Sequence, residues 1–298
     1  MKPNPANVNL EEEKERLSDK NFDRILYGVS SIHLVTLGYF FWIIGSEMNL
    51  YERIGMTLSM GVQCGAIGIN VAHELGHRKN NFEQTLARIM LATSLYMHFI
   101  VEHNKGHHKY VATPKDPATA RLNETIYHFW VRSIVYSFLS AWEIAKNDAS
   151  KKGFKTLSLR NEMVAALLFE LILLIAIYVF FGAITVVSFL AAALIGILLL
   201  ETVNYIEHYG LMRKETSPGK FERVQPCHSW NSDSPIGRVV LFELTRHSDH
   251  HYLASRKYQI LRHIDDSPQL PTGYPGAMLM SLVPAIWFKV INPRIPQE

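Results

Sequence analysis

Four short groups of histidines are the residues of this sequence best suited to chemistry. Nine of its fourteen histidines lie in HELGH at 73–77, HNKGHH at 103–108, NYIEHYG at 204–210 and HSDHH at 247–251. Helical spacing would let each group aim its imidazoles from one face. Because imidazole is a favoured ligand of Zn, Fe, Cu and Ni, the pattern predicts a metal site. The predicted ligands are His73, His77, His103, His107, His108, His208, His247, His250 and His251.

The number of candidate ligands favours two metal ions over one. A catalytic zinc ion takes about three protein ligands and keeps one position open. Nine neutral donors divided between two ions, at about four or five each, would leave room for a bound oxygen species. A single histidine pair has an ordinary structural use, but four groups beside the ends of apolar segments do not.

Each histidine group has an acidic neighbour, at Glu74, Glu102, Glu207 and Asp249. Adjacent residues on a helix point about 100° apart, so each carboxylate is expected to brace a histidine from another group. The alternative is a solvated acid at a membrane edge. His228, in PCHSWNS, is a further candidate for bracing the site. The scattered histidines 33, 98, 128 and 263 are expected to be ordinary residues, satisfied for example by a backbone carbonyl.

Two other kinds of metal protein fit part of the pattern. HELGH also matches HExxH, in which two histidines bind zinc and the glutamate activates water in a protease. That interpretation leaves seven clustered histidines unexplained. A metal transporter would place its ligands near the middle of membrane spans, often with repeat symmetry, whereas these groups lie at span ends and no repeat is visible.

Long apolar runs predict an all-α integral membrane protein with about four transmembrane helices. The spans are expected near 25–46, 53–72, 163–181 and 184–204. A single helix over 163–200 would be roughly 57 Å long, nearly twice the hydrocarbon thickness, so a break is predicted at 181–183.

Two shorter apolar stretches are not expected to cross the membrane, because a full span between the histidine groups would place them on opposite sides. The stretch 86–101 is therefore interpreted as a re-entrant or interfacial helix, and 126–144 as an amphipathic surface helix. Residues 1–298 then form a single membrane-embedded catalytic domain. Its catalytic parts, 73–160 and 205–298, are expected on the cytoplasmic side together with both termini.

The distribution of positive charge supports this orientation. Arg53 is the only Lys or Arg in the two short loops on the far side, and the other 29 of the 30 lie on the histidine side. The positive-inside rule makes that side cytoplasmic. The net charge of +3 is too small to suggest nucleic acid as a partner.

Several motifs resemble those of a known family. HELGHR, EHNKGHHKYVATPKDPATAR, NYIEHYGL and RHSDHHYLASRKYQILR resemble the membrane alkane 1-monooxygenases, which are relatives of the membrane fatty-acid desaturases and xylene monooxygenases. The resemblance runs from about residue 20 to the C-terminus. NYIEHYGLMR, QPCHSWNS and LPTGYPGA are more typical of alkane hydroxylases than of desaturases. A desaturase or a xylene-type methyl hydroxylase is the nearest alternative.

The resemblance implies a function and a set of partners. Members of this family hydroxylate medium-chain alkanes to 1-alkanols in the bacterial inner membrane, using O2 at a di-iron site. Rubredoxin supplies the electrons through an NADH-dependent rubredoxin reductase. By matching motifs, the nine iron ligands fall on the nine clustered histidines. Family members usually carry two further N-terminal helices, so four spans rather than six are expected here.

A small acidic electron donor would need a positive docking surface near the metals. The basic residues closest in sequence to the predicted ligands are Arg78, Lys79, Lys105, Lys109 and Lys115. Their other interpretation is solvation and attraction to anionic lipid in the membrane.

Overall fold

The computed structural model describes residues 2–296, most of which are helical, in two compact units. The first unit contains residues 2–22, 106–137 and 201–296, and the second contains 23–105 and 138–200. The helices are α1 (Leu10–Ser18), α2 (Asn21–Ile44), α3 (Leu50–Gln63), α4 (Asn70–Gly76), α5 (Asn81–Ala92), α6 (Phe99–Glu102), α7 (His108–Tyr110), α8 (Ile126–Lys151), α9 (Glu162–His208), α10 (Pro235–Val240), α11 (His247–Tyr252), α12 (Tyr274–Ser281) and α13 (Pro284–Ile291). Two π-helical segments (Cys64–Ile69, His103–His107), three 3-10 turns (Pro226–His228, Tyr258–Ile260, Asn292–Arg294) and an antiparallel strand pair, β1 (Glu215–Ser217) and β2 (Lys220–Phe221), complete the secondary structure of these residues.

Three helical segments among the described residues are long and apolar enough to cross a membrane. They are Asn21–Ile44, Leu50–Gly76 and Glu162–His208. The third has 47 residues and is broken at Gly182, whose φ of 82° and ψ of 176° are not helical. Glycine adopts this region without the steric penalty of a side chain. The break predicted at 181–183 is therefore confirmed.

The second unit has an apolar core in which helices approach closely. Phe40 and Phe41 of α2 pack there with Phe189 of α9. A Cβ atom at Gly65 would lie only 2.9 Å from the backbone oxygen of Gly196. Small residues allow this approach of two membrane helices, in which close packing replaces the hydrophobic effect as the driving force.

The predicted re-entrant helix 86–101 is wrong as a single element. The chain forms α5 to Ala92, turns through Leu95 with a φ of 51°, and resumes as α6 at Phe99. The Glu170 carboxylate accepts a hydrogen bond of 2.9 Å from the Met97 backbone N–H and so holds the turn. The break shortens both helices and places α6 directly before His103.

The predicted surface helix 126–144 begins where expected but continues to Lys151. Its apolar residues Tyr127, Val131 and Leu139 are exposed, whereas Arg132 is buried. Arg132 donates to both carboxylate oxygens of Glu124 at 2.7 Å and to the backbone oxygens of residues 117 and 119. The charge that interrupts the apolar run is therefore satisfied inside the protein, and the apolar face of α8 points outward.

The first unit has an aromatic core that joins the last turns of α9 to the chain that follows them. Tyr205, Trp230, Tyr274 and Trp287 are almost fully buried there. The indole Nε1–H of Trp230 donates to the backbone oxygen of Tyr209 at 2.9 Å, so the buried polar end of the ring is satisfied. This core supports the helix ends that carry the histidines of this unit.

Candidate metal centre

Four histidines converge in the first unit. His208 comes from the last turn of α9, His107 ends the second π-helical segment, and His247 and His251 lie on α11. Their Nε2 atoms are separated by 3.1 Å between His208 and His247, 2.9 Å between His247 and His251, and 3.2 Å between His107 and His251. All four side chains are buried. Four nitrogen donors directed at one point are the arrangement that a transition-metal ion requires.

Asp116 fixes the orientation of one of these rings. Its Oδ2 accepts a hydrogen bond of 2.9 Å from His107 Nδ1, and the Thr119 hydroxyl donates to the same oxygen at 2.5 Å. Burial raises the pKa of the Asp116 carboxyl, but the contacts with His107 and Thr119 outweigh it and hold that pKa below its usual value. A carboxylate on Nδ1 leaves Nε2 free to bind a metal ion.

Sequence reasoning missed Asp116. The residue lies nine positions after His107 and directly before Pro117 in the motif TPKDPATAR. An Asp-Pro pair so close to a histidine group is a signal for a turn that carries a carboxylate back toward the ligand.

Burial also prepares the histidines of this cluster for metal binding. Burial, and then the neighbouring imidazoles, lower the pKa of His251 well below its usual value. The ring is therefore neutral at neutral pH, as a metal ligand must be.

Of the predicted bracing carboxylates, Glu207 lies at this cluster. Its Oε2 is 3.2 Å from His247 Nε2, and its Oε1 accepts a hydrogen bond of 2.8 Å from the Tyr274 hydroxyl.

Two further predicted ligands, His108 and His250, lie in the same unit. Their ring centroids are 4.8 Å apart, and the His108 ring is 4.6 Å from that of His251. His250 is buried and His108 is partly exposed. The first unit thus holds six of the nine predicted ligands.

The other three predicted ligands, His73, His77 and His103, form a cluster in the second unit. Their ring centroids are 4.5 to 5.2 Å apart, and His77 Nε2 lies 3.3 Å from His73 Nε2 and 3.2 Å from His103 Nε2. Phe99 stacks on His103 at 4.7 Å, and the Asn104 amide donates to the backbone oxygen of Gly76. The three rings thus present convergent nitrogens of the kind that a second ion needs.

The HNKGHH segment differs from its expected α-helical form. Residues 103–107 are π-helical, so residues four apart no longer lie directly above one another. His103 belongs to the cluster of the second unit and His107 to that of the first. One-turn π segments inside α-helices occur frequently at functional sites.

The remaining residues predicted to brace the site have contacts of several kinds. Asp249 accepts from Arg256 Nη1 and from the Arg262 backbone N–H, and burial raises the pKa of its carboxyl. His228 Nδ1 accepts from the Gln225 backbone N–H. The Ser140 hydroxyl lies 3.4 Å from Glu102 Oε1.

Glu74 forms a buried ion pair with Arg78. The Arg78 guanidinium donates to Glu74 Oε1 at 2.6 and 3.0 Å, and to Asp23 at 3.0 Å. A zinc protease of the HExxH type needs this glutamate to activate water, whereas here an arginine engages its carboxylate.

The four histidines expected to be ordinary belong to neither cluster in the described part of the chain. Three have side-chain partners: His33 contacts the Thr93 hydroxyl at 2.9 Å, His128 contacts Glu124 at 2.7 Å, and His263 contacts Asp233 at 2.7 Å. His98 packs edge-on against Tyr96 and Phe138.

Two of the five basic residues predicted to dock a donor form ion pairs with carboxylates of the second unit. Arg78 is buried with Glu74, and Lys105 Nζ lies 2.8 Å from Asp148 Oδ2 and 3.0 Å from Glu162 Oε1. Lys79, Lys109 and Lys115 are exposed. Lys109 and Lys115 flank the Tyr110 ring in the first unit, at 4.8 and 6.0 Å from its centroid.

The chain matches a model of the fatty acid desaturase family over residues 53–278. It is 40% identical to alkane 1-monooxygenase 1 of Pseudomonas aeruginosa over 296 residues, which cover 98% of this chain and 77% of that protein. It is 41% identical to an alkane 1-monooxygenase of Pseudomonas putida, covering 96% and 71%. Identity to the xylene/toluene monooxygenase hydroxylase component of Pseudomonas putida is 30%, covering 80% and 63%.

Proposed function

Since this chain belongs to the fatty acid desaturase family and, within it, to the alkane 1-monooxygenases, we propose that it hydroxylates the terminal carbon of medium-chain alkanes with O2 at two iron ions. The observation that carries the proposal is the convergence of four buried Nε2 atoms in the first unit. Buried imidazoles directed at one point have no use in packing and suit iron well.

The histidines divide between the two ions. His107, His208, His247 and His251 would hold one, and His73, His77 and His103 would supply donors for the other. His108 and His250 are proposed as the remaining ligands. When bound, the irons supply the oxidising chemistry for an unactivated C–H bond, which has no acidic proton for a general base to remove.

The protein's own residues prepare the site for this chemistry. Asp116 keeps His107 in the tautomer whose unprotonated Nε2 would bind an ion. Burial of the four-histidine cluster excludes bulk water, which would otherwise compete with an alkane for the site. The substrate class fits a membrane enzyme, because hydrocarbon concentrates in the bilayer.

The electron donor is proposed to be rubredoxin, reduced through its NADH-dependent reductase. Lys109 and Lys115 are the basic residues we assign to its docking, because they are exposed in the unit that holds six of the proposed ligands. The location we propose is the bacterial inner membrane, with four spans and with the metal site and both termini on the cytoplasmic side. The excess of Lys and Arg on the histidine side of the spans supports this orientation.

The test is a reconstituted turnover assay. Membranes containing the protein are supplied with NADH, rubredoxin reductase, rubredoxin and alkanes of about 6 to 16 carbons, and the products are identified. We expect 1-alkanols together with alkane-dependent O2 consumption. Alkenes as the product would instead assign a desaturase, and the absence of any alkane oxidation by iron-containing protein would overturn the proposal.

A further inference from the structure

We propose that Glu207 binds the metal ion of the first unit directly, so that this ion takes one carboxylate oxygen besides four imidazoles. The inference rests on the proposed function, because it requires an ion at this cluster. Glu207 immediately precedes His208 on α9, and its side chain is almost fully buried.

The position of Glu207 Oε2 is that of a fellow ligand. It lies 3.2 Å from His247 Nε2, a spacing close to the 2.9 to 3.2 Å that separates neighbouring imidazole nitrogens in the cluster. Two donors about 2.1 Å from one ion, at right angles to each other, are about 3 Å apart. The oxygen therefore fits a position in the coordination shell.

A carboxylate that only orients a ligand would be placed differently. Asp116 shows that arrangement, because it accepts from His107 Nδ1, the ring nitrogen turned away from the cluster. Glu207 instead approaches Nε2 of His247, the nitrogen that faces His208 and His251. A metal ion on Nε2 of His247 would remove the proton that this nitrogen could donate, and Oε2 would then be placed to share the ion.

Tyr274 holds the carboxylate in this orientation. Its buried hydroxyl donates to Oε1 at 2.8 Å, which leaves Oε2 directed at the cluster. The backbone oxygen of Glu207 accepts from the Trp230 N–H at 2.8 Å, so the main chain is fixed as well. Tyr274 belongs to LPTGYPGA and Trp230 to QPCHSWNS, two motifs that supply none of the nine predicted histidine ligands.

Charge balance supports the same assignment. An ionised carboxylate is costly to bury unless a cation accompanies it. Glu207 and Asp116 together place two carboxylates at four neutral imidazoles, which matches the charge of one divalent ion.

The experiment compares iron in wild-type protein with that in Glu207→Gln, since the amide keeps the volume of the side chain and still accepts from Tyr274. Full-length protein purified from 57Fe-supplemented cells is examined by Mössbauer spectroscopy, and iron loss to a chelator is followed with time. We expect one of the two iron signals to change and its loss to become at least about tenfold faster. The unchanged second signal reports that the variant is folded.

Glu201→Gln is the matched control. Glu201 is a buried carboxylate on the same helix, six residues earlier, and it accepts a hydrogen bond from the Ser133 hydroxyl. Its variant should give the wild-type spectrum. If Glu207→Gln also gives the wild-type spectrum and chelation rate, Glu207 is not a ligand.

A second measurement needs no folded variant. Infrared difference spectra of wild-type protein with and without iron should show the widened separation of carboxylate stretching bands that accompanies binding through one oxygen. Absence of such bands overturns the assignment. Wild-type protein that binds iron and forms alkanols without these signatures would overturn only this inference, whereas wild-type protein that acquires no iron overturns the proposed function as well.

Discussion

At the scale of single residues, the histidines differ in the hydrogen bond made by Nδ1, the ring nitrogen that would not bind the ion. His107 gives its Nδ1–H to a buried aspartate. His251 Nδ1 has no hydrogen-bond partner among the described residues, so that ring is oriented by packing and by the contacts of its Nε2 with His247 and His107. A ligand held by a carboxylate is more basic and less mobile than one held by packing. His107 should therefore depend strongly on its partner.

Removing the charge of that partner should weaken metal binding. Asp116→Asn is expected to lower iron affinity at the first-unit cluster by about 10- to 100-fold, because the amide accepts less strongly from Nδ1. Iron content after dialysis against graded chelator concentrations measures this. Asp148→Asn is the control, since that carboxylate pairs with the exposed Lys105. Equal iron retention by both variants would show that Asp116 does not support the ligand.

His208 stands alone in the sequence but lies in the four-histidine cluster. His208→Ala should reduce iron from about two ions per chain to about one, because a buried site missing one of its ligands binds a metal weakly, and should abolish alkanol formation. Metal analysis and product analysis of the purified protein test this. His128→Ala serves as the comparison, since that side chain is 67% exposed and bound to Glu124. Full activity in His208→Ala would remove this residue from the centre.

At the scale of secondary-structure elements, the features that the sequence predicts are those determined by residues close together in the chain. The break at Gly182 is predictable because span length and bilayer thickness fix it locally. The turn between α5 and α6 is not, because it depends on Glu170, a residue 73 positions from its partner Met97. The histidine groups are also visible in the sequence, because the members of each group lie within six positions of one another. The contact between Asp116 and His107, in contrast, forms only when the loop between them folds.

The break in α9 gives a prediction about stability. Gly182 has a φ of 82° with open space around the position of a Cβ atom, so Gly182→Ala introduces backbone strain without a clash. We expect a loss of about 1–3 kcal/mol in the free energy of unfolding. Gly38→Ala in α2 also meets no neighbour and should be neutral or slightly stabilising. Thermal unfolding in detergent compares the two, and equal stabilities would argue that the break imposes no strain.

At the scale of the whole molecule, proximity to the ligands in sequence does not show which basic residues are already paired with carboxylates. Arg78 and Lys105 are adjacent to ligands, yet both are occupied by carboxylates of the second unit. Burial lowers the pKa of the Lys105 ammonium, but the hydrogen bonds that it donates to Asp148 and Glu162, with their negative charges, outweigh burial and hold that pKa above its usual value. Reversing Lys105 would bring three carboxylates together, so it tests stability rather than docking.

Lys109 and Lys115 are the better probes of donor docking. Turnover at sub-saturating rubredoxin should fall as ionic strength rises from about 0.01 M to 0.15 M, where the Debye length shrinks from roughly 30 Å to 8 Å. Lys109→Glu and Lys115→Glu should lower the same rate and its salt dependence while leaving iron content intact. Lys146→Glu, at an exposed site on α8 paired with Glu143, is the control. If neither salt nor these reversals affects the rate, the donor docks elsewhere.

The two histidine clusters also differ in how much of the chain must be synthesised before all their histidines are present. His77 and His103 are separated by 26 positions, whereas His107 and His251 are separated by 144. At a synthesis rate of about 5–20 residues per second, the second pair needs roughly 7 to 30 seconds, and the first pair only about 1 to 5. Iron can therefore meet the three clustered histidines of the second unit on a nascent chain well before His247 and His251 of the first-unit cluster have been synthesised.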